Sequence, residues 1–410
     1  MLARHLGTLV AVAMCLGAMP SQANACKHNP LPDGIVSVDT YSKQDLKQLI
    51  EDGYTPEIPW TDAFGQFVDV NAYIPDLTVD EAYNFMENIY NLKLWTMSEY
   101  DFVPMGTYNG RNRYAAPEPL PPFGMVYITE EKHPETKTVD WWVGKSADDI
   151  WMHYYVRVLD AQKYMGKPGV ILDWVNFGHA NFEADPVMYA GFLGMRIAHA
   201  RERDNAIAIM KWRHAGNTGE ITPEIMAQLG LVNLHTSDPM SIWNMVMSGI
   251  KPTVKWEDLY GGFISSHFYV LDVPVDQAWA YLKNVRNMDR WTVSTRGVMP
   301  FGDDFLALET LSPVGLLSAD TDLDEESRTL DIRMTNSRYI HEFGHTKFMT
   351  SSIRVMDGMD TVGKPGSVVV WTTFRHKAYE TNAELAEQWK YLPVRNKYSA
   401  ANVKLLLADE

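Results

Sequence analysis

The run His341-Glu342-Phe343-Gly344-His345 spells H-E-x-x-H. On a helix that spacing sets two imidazoles one turn apart over a single zinc ion, with the glutamate activating water. Here the run stands between two predicted strands and contains Gly344. Extended, it would hold His341 and His345 about 13 Å apart at ~3.3 Å per residue, too far for one ion. No third ligand follows at the usual spacing, so no metal, cofactor or metalloprotease activity is expected. His179 and His376 occupy matching places where a strand meets a terminal helix. Each either caps that helix or enters a cavity as a polar anchor or general base. Arg157 and Arg354 each precede an acid by three residues, Asp160 and Asp357. They either hold a ligand carboxylate or phosphate, or fix the strand end in solvated ion pairs. Asp173 stands in an apolar stretch where the second half of the chain has Val370. It is on the convex face of a sheet, or it is a site acid with a raised pKa. With His153 and His179 it forms the set of candidate bases.

Aromatic side chains are the stronger signal. Trp95, Trp141, Trp142, Trp151, Tyr155, Trp174 and Phe177 in the first half, and Trp291, Phe348, Trp371 and Phe374 in the second, fall on strands or on the corner before them. Such residues build a core, or they wall a cavity that a few polar groups make specific. The expected wall is Trp95, Trp141, Trp151, Tyr155, Trp174, Phe177 and His179 in one half. In the other it is Trp291, Arg354, Trp371, Phe374 and His376. Of 22 methionines, Met240, Met245 and Met247 cluster on one helix, where a flexible apolar lid is a better account than Cu(I).

A repeated unit carries these residues. Val79 to Ser98 matches Val275 to Ser294 without a gap at an offset of 196, with Trp95/Trp291, Thr96/Thr292 and Ser98/Ser294 identical. Ile150 to Glu183 matches Lys347 to Glu380 at an offset of 197. That block pairs Arg157 with Arg354, Gly166-Lys167-Pro168-Gly169 with Gly363-Lys364-Pro365-Gly366, Trp174 with Trp371, Phe177 with Phe374 and His179 with His376. The chain is a tandem duplication. Each copy reads as a strand, a helix capped by Thr78 or preceded by Pro274, a meander of period-two strands, and a terminal helix, Pro186 to Trp212 or Ala383 to Leu407. The Pro-rich stretch 104–122 reads as a surface loop. The parts are a leader (1–25), an N-terminal extension (26–65), domain 1 (66–213), a helical linker (214–262) and domain 2 (263–410).

The 410 residues, 46% hydrophobic and 21% charged, describe a globular protein, and a formal charge of −16 argues against nucleic acid as a partner. Arg4, an apolar run from Leu6 to Met19 and Ala23-Asn24-Ala25 have the order of a secretory signal. The protein is therefore expected to be exported, periplasmic or outer-membrane-associated in a Gram-negative source. Cys15 lies in the leader and Cys26 directly after it. The mature chain then has no internal disulfide, and Cys26 offers a membrane tether if lipidated.

The strand followed by VPVDQAWAYLKNVRNMDRW, and its weaker counterpart TVDEAYNFMENIYNLKLW, resemble the START/polyketide-cyclase (SRPBCC, helix-grip) superfamily. The resemblance covers about residues 66–213 and 263–410. It implies an α+β fold of two tandem helix-grip domains, each a curved antiparallel sheet wrapped around a long C-terminal helix. It also implies a deep apolar cavity for a lipid, sterol or aromatic, polyketide-like molecule. The expected function is an exported binding or carrier protein for such a hydrophobic small molecule. The alternatives are a cyclase or aromatase-type enzyme using a polar group in the domain 1 cavity, and a scaffold component of an envelope complex.

Overall fold

The computed structural model describes residues 30–61, 67–98, 101–120, 123–146, 148–256, 263–301, 304–311, 315–336 and 349–408. The leader, Cys26, the H-E-x-x-H run and Phe348 lie outside the described residues. In chain order the strands are β1 (Glu57–Pro59), β2 (Phe67–Asp69), β3 (Ala72–Ile74), β4 (Val103–Tyr108), β5 (Arg111–Glu118), β6 (Gly124–His133), β7 (Thr138–Gly144), β8 (Ile150–Asp160) and β9 (Val170–Gly178). They continue with β10 (Thr253–Lys255), β11 (Ile264–Leu271), β12 (Thr295–Phe301), β13 (Asp304–Glu309), β14 (Gly315–Asp324), β15 (Thr329–Asn336), β16 (Met349–Asp357) and β17 (Ser367–Arg375). Domain 1 has an eight-stranded antiparallel sheet in the order β2-β9-β8-β7-β6-β5-β4, with β3 also on β9; domain 2 has seven strands in the order β11-β17-β16-β15-β14-β13-β12. Each sheet curves around a helix at the end of its own repeat. Both halves are helix-grip domains.

Local chemistry sets the boundaries. The Thr78 side chain accepts from the Glu81 backbone N–H while Glu81 reaches back to Thr78, a complete capping box for the helix Val79–Met86. The terminal helix of domain 1 runs unbroken over Pro186–His214. In domain 2 the expected single helix is two, Ala383–Lys390 and Leu392–Ala408. Pro393 has no N–H to continue the ladder, so the chain breaks at Tyr391. Residues 104–118 are not the expected loop. They form the β4–β5 hairpin, turned at Asn109-Gly110 with positive φ at both (49° and 81°), the pair that matches strand twist.

The extension and the linker are themselves copies. Gly34/Gly230, Val36/Val232, Thr40/Thr236, Gly53/Gly249, Pro56/Pro252 and Trp60/Trp256 agree at the offset of 196, and each segment forms a helix (Lys43–Asp52; Pro239–Ser248) followed by a short strand. The strands β1 and β10 pair with each other. The arms cross: each packs on the domain it does not lead into. Asn402 of domain 2 bonds the N–H and C=O of Val36, both at 2.9 Å. Asn205 of domain 1 bonds the same groups of Val232, at 3.0 and 2.9 Å.

The two sheets meet back to back. In β8 and β9, Met152, Tyr154, Val156, Leu172 and Trp174 face the core of domain 1. The alternate residues Tyr155, Val175 and Phe177 meet Met356, Val368 and Val370 of domain 2. With both faces covered, these strands are buried nearly end to end.

Candidate functional site

The candidates proposed from sequence separate onto these two faces. Tyr155, Phe177, Phe374, Arg354, His179, His376, Asp173 and His153 lie at the seam between the domains and line neither domain's cavity. Arg354 is not a solvated partner of Asp357. Its Nη1 and Nη2 donate to both oxygens of Asp140 in the other domain, at 2.9 and 2.7 Å. Arg157 likewise leaves Asp160 to cap the helix Ala161–Met165 and grips Asp331 across the seam, at 2.8 Å twice. Burial alone would raise the Asp140 carboxyl, but Arg354, His133 and His153 together hold it well below the usual carboxylate range. The histidines are caps: Nδ1 of His179 accepts from Asn181 N–H and Nδ1 of His376 from Ala378 N–H. Each ring also covers a left-handed glycine of the opposite domain, His179 on Gly363 (φ 66°) and His376 on Gly166 (φ 68°). Burial pushes His376 down to about 4. Asp173 lies on the convex face; burial pushes it up to about 7, against the pull of Arg157.

The tryptophans behave otherwise. Trp95 and Trp174 stand edge to face at 5.3 Å in domain 1, and Trp291 and Trp371 at 5.4 Å in domain 2. Each pair lines its own domain's cavity. Trp151 lines the first cavity, whereas Trp141 is buried in the core beside it with Glu130 near its indole N–H.

The domain 1 cavity, about 70 Å³, holds groups that the sequence reading missed: Ser98, Glu118, His199 and Glu202. His199 bridges two groups, with Nδ1 2.6 Å from Glu202 and Nε2 2.7 Å from the Asn176 amide. Glu118 accepts from Ser98 Oγ at 2.5 Å and from Leu120 N–H at 2.9 Å. Burial, with the Glu202 charge adding to it, pushes Glu118 up to about 7. Val246 of the apolar arm helix Pro239–Ser248 lines this cavity. A volume of this size holds a few waters.

Domain 2 has the same frame with different groups. At the aligned positions Ala198 becomes Arg395, His199 becomes Asn396 and Glu202 becomes Ser399. A cavity of about 100 Å³ lies over Trp291 and Trp371. Beyond it a vestibule of about 680 Å³ is roofed by Lys43, Lys47 and Ile50 of the polar arm helix. Gln388 and Arg395 line both spaces. Arg395 Nη2 donates to Ser294 at 2.7 Å and Glu309 at 3.0 Å. Asn396, 3% exposed, makes no side-chain hydrogen bond, and its Nδ2 is fully buried. An orphaned buried amide costs about 1–3 kcal/mol. Among the described residues no cluster of His, Cys, Asp or Glu suits a metal ion, and no helix is long and apolar enough to cross a membrane.

No family model matches this chain, nor does any curated protein. Among solved structures it is similar to the di-domain ARO/CYC StfQ from the steffimycin biosynthetic pathway, at 8% identity over 84% of this chain and 98% of that one, with a TM-score of 0.29. The di-domain ARO/CYC BexL from the BE-7585A biosynthetic pathway gives 9%, 83%, 97% and 0.27. Norcoclaurine synthase from Thalictrum flavum gives 15%, 36%, 94% and 0.27. Likenesses of this size say nothing of activity.

Proposed function

We propose that this protein binds a hydrophobic small molecule in domain 2 and carries it through an aqueous compartment outside the cell's inner membrane, with domain 1 as a closed support. The observation that carries the reading is the difference between the two mouths. The first, about 70 Å³, has Val246 of an apolar arm helix in its wall, while the second, floored by tryptophans, adjoins a vestibule of about 680 Å³ through Gln388 and Arg395, which line both. An apolar hollow with a few convergent polar groups is what such a ligand requires. Solvent extraction of purified protein followed by mass spectrometry tests it. A bound apolar compound that is lost on Ile50→Trp, which fills the vestibule, is expected. A protein always empty, and indifferent to added fatty acids, sterols and aromatics, would overturn it.

A second reading, a cyclase-type enzyme in domain 1, is favoured by one observation: Glu118, pushed up to about 7 beside that cavity, is poised for proton transfer at neutral pH. Asp173, His153 and His179 take no part in it, because they face the seam. Turnover lost on Glu118→Gln with ligand binding retained would support this reading.

A further inference from the structure

The polar groups of the domain 2 cavity are unequal in kind. Its hydroxyls are engaged: Ser399 Oγ accepts from Val293 N–H at 3.3 Å, Ser351 and Thr373 pair with each other at 3.3 Å, and Ser294 takes Arg395. Glu309 is held by Arg395 and by Leu311 N–H at 3.0 Å. Apart from the carbonyl oxygens of the Asn396 and Gln388 amides, what is left over is donors. Asn396 Nδ2 is buried without a partner, as are the indole N–H groups of Trp291 and Trp371. Arg395 commits Nη2 alone, leaving Nε and Nη1 without a hydrogen bond at the boundary of cavity and vestibule. The perpendicular tryptophans, at 86°, allow one indole N–H to rest on the other ring, which still leaves the amide and the guanidinium. Domain 1 lacks this surplus at the matching positions: Ala198 has no donor, and both nitrogens of His199 are engaged.

We infer that Asn396 and Arg395 form a donor clamp selecting aromatic ligands whose inward end carries an acceptor oxygen, a carboxylate, phenolate or carbonyl. The inference rests on the ligand-binding reading above and narrows it to a chemical class. The aromatic body lies against Trp291 and Trp371, and the oxygen takes the amide N–H and the free edge of the guanidinium, a charge-assisted contact where the oxygen is anionic. An apolar molecule without that oxygen leaves the buried donors unpaired and is discriminated against.

The test uses the full-length protein, tryptophan fluorescence and two probes of the same shape, 2-naphthoate and naphthalene. The wild type is expected to bind 2-naphthoate at least tenfold more tightly, equivalent to about 1.4 kcal/mol. Asn396→Leu is expected to remove most of that preference and leave naphthalene affinity unchanged. It should also raise or preserve the melting temperature of the empty protein, because the residue it replaces is unsatisfied there. Asn396→Asp, nearly isosteric, should reject 2-naphthoate at pH 8 while still binding naphthalene. Equal affinity for both probes in the wild type overturns the clamp but not the binding proposal, and failure to bind either overturns both. A melting temperature lowered by Asn396→Leu shows that the amide is satisfied within the protein, and this too overturns the clamp.

Discussion

Replacing Arg157 with methionine isolates the energetics of the seam. The residue is buried, and both oxygens of Asp331 depend on it, as does Ser352 Oγ at 2.7 Å. The variant leaves Asp331 charged with Tyr164 as its remaining strong donor, and removes the cation that counters burial at Asp173. Breaking a buried pair from one side typically costs about 3–5 kcal/mol, whereas removing both charges costs far less. Arg157→Met and Asp331→Asn should each fall in that range at pH 7. The double variant should recover at least half of the summed loss, because the asparagine still accepts from Tyr164. Urea denaturation followed by tryptophan fluorescence measures all four proteins, and the coupling follows from the cycle. The pH dependence is a further check. In the wild type, burial raises Asp331 but Arg157 and its hydrogen bonds pull it below the ordinary range, so its contribution is present above that range and is lost as pH falls. Without Arg157 burial dominates, and the deficit should shrink on acidification. Single variants costing under about 1 kcal/mol, or a strictly additive double variant, would refute the view that these pairs hold the domains together.

Glu118 has its pKa raised from 4.5 to about 7, so its contribution to stability is fully present below 4.5 and is lost as pH rises through 7. Glu118→Gln should flatten that loss, by up to about 3 kcal/mol at pH 8; identical thermal melts across pH 4 to 9, on the order of the titration range, would count against it. Gly166→Ala places a Cβ 1.9 Å from His376 Nε2, at a φ of 68°, and should cost roughly 2 kcal/mol in urea; an unchanged midpoint would show that the ring yields freely. Asn402→Ala cuts the bonds from the terminal helix to Val36 and Trp291. It should speed tryptic cleavage at Lys43 or Lys47 about tenfold or more, from the loss of roughly 1.5–3 kcal/mol of hydrogen bonding. An unaltered digest would argue that the arm is held elsewhere.

Much of this architecture is written in the sequence. The repeat, the helix cap at Thr78 and the recurrence of the corner and strand tryptophans follow from spacing and residue type, and the fold bears them out. Alternation, however, says that a strand has two faces without saying what covers each. In β8 and β9 both faces are apolar, so Tyr155, Phe177 and Asp173 could not be separated from Tyr154 and Trp174 by pattern alone. His179, Arg354 and His376 stood out because they recur in both copies, and recurrence has two causes, a shared cavity and a shared interface. The groups that equip the cavities, Glu118, His199, Glu202, Arg395 and Asn396, carry the opposite signal. Ala198/Arg395, His199/Asn396 and Glu202/Ser399 differ between aligned positions, so a search for identity passes over them. The hairpin ending at Glu118 was hidden by its prolines, although Asn109-Gly110 is a strong turn signal.

The distribution of sameness and difference has a physical logic. A surface that meets a copy of itself must satisfy each contact twice, as in an isologous dimer. Here Arg157–Asp331 is matched by Arg354–Asp140, Lys167–Glu380 by Lys364–Glu183, and His376 over Gly166 by His179 over Gly363. Altering one member of such a set damages one contact without adjusting its twin, so both copies retain the arginine, the Gly-Lys-Pro-Gly turn and the histidine. The cavities and arm helices face no copy and are free to diverge. KQDLKQLIED over domain 2 and PMSIWNMVMS over domain 1 occupy equivalent places, yet one borders a wide vestibule and the other a cavity of about 70 Å³. Under the proposed binding function, selection for a bound molecule would act on those unmirrored positions, which is why the test of it belongs at Arg395 and Asn396 rather than among the residues the two halves share.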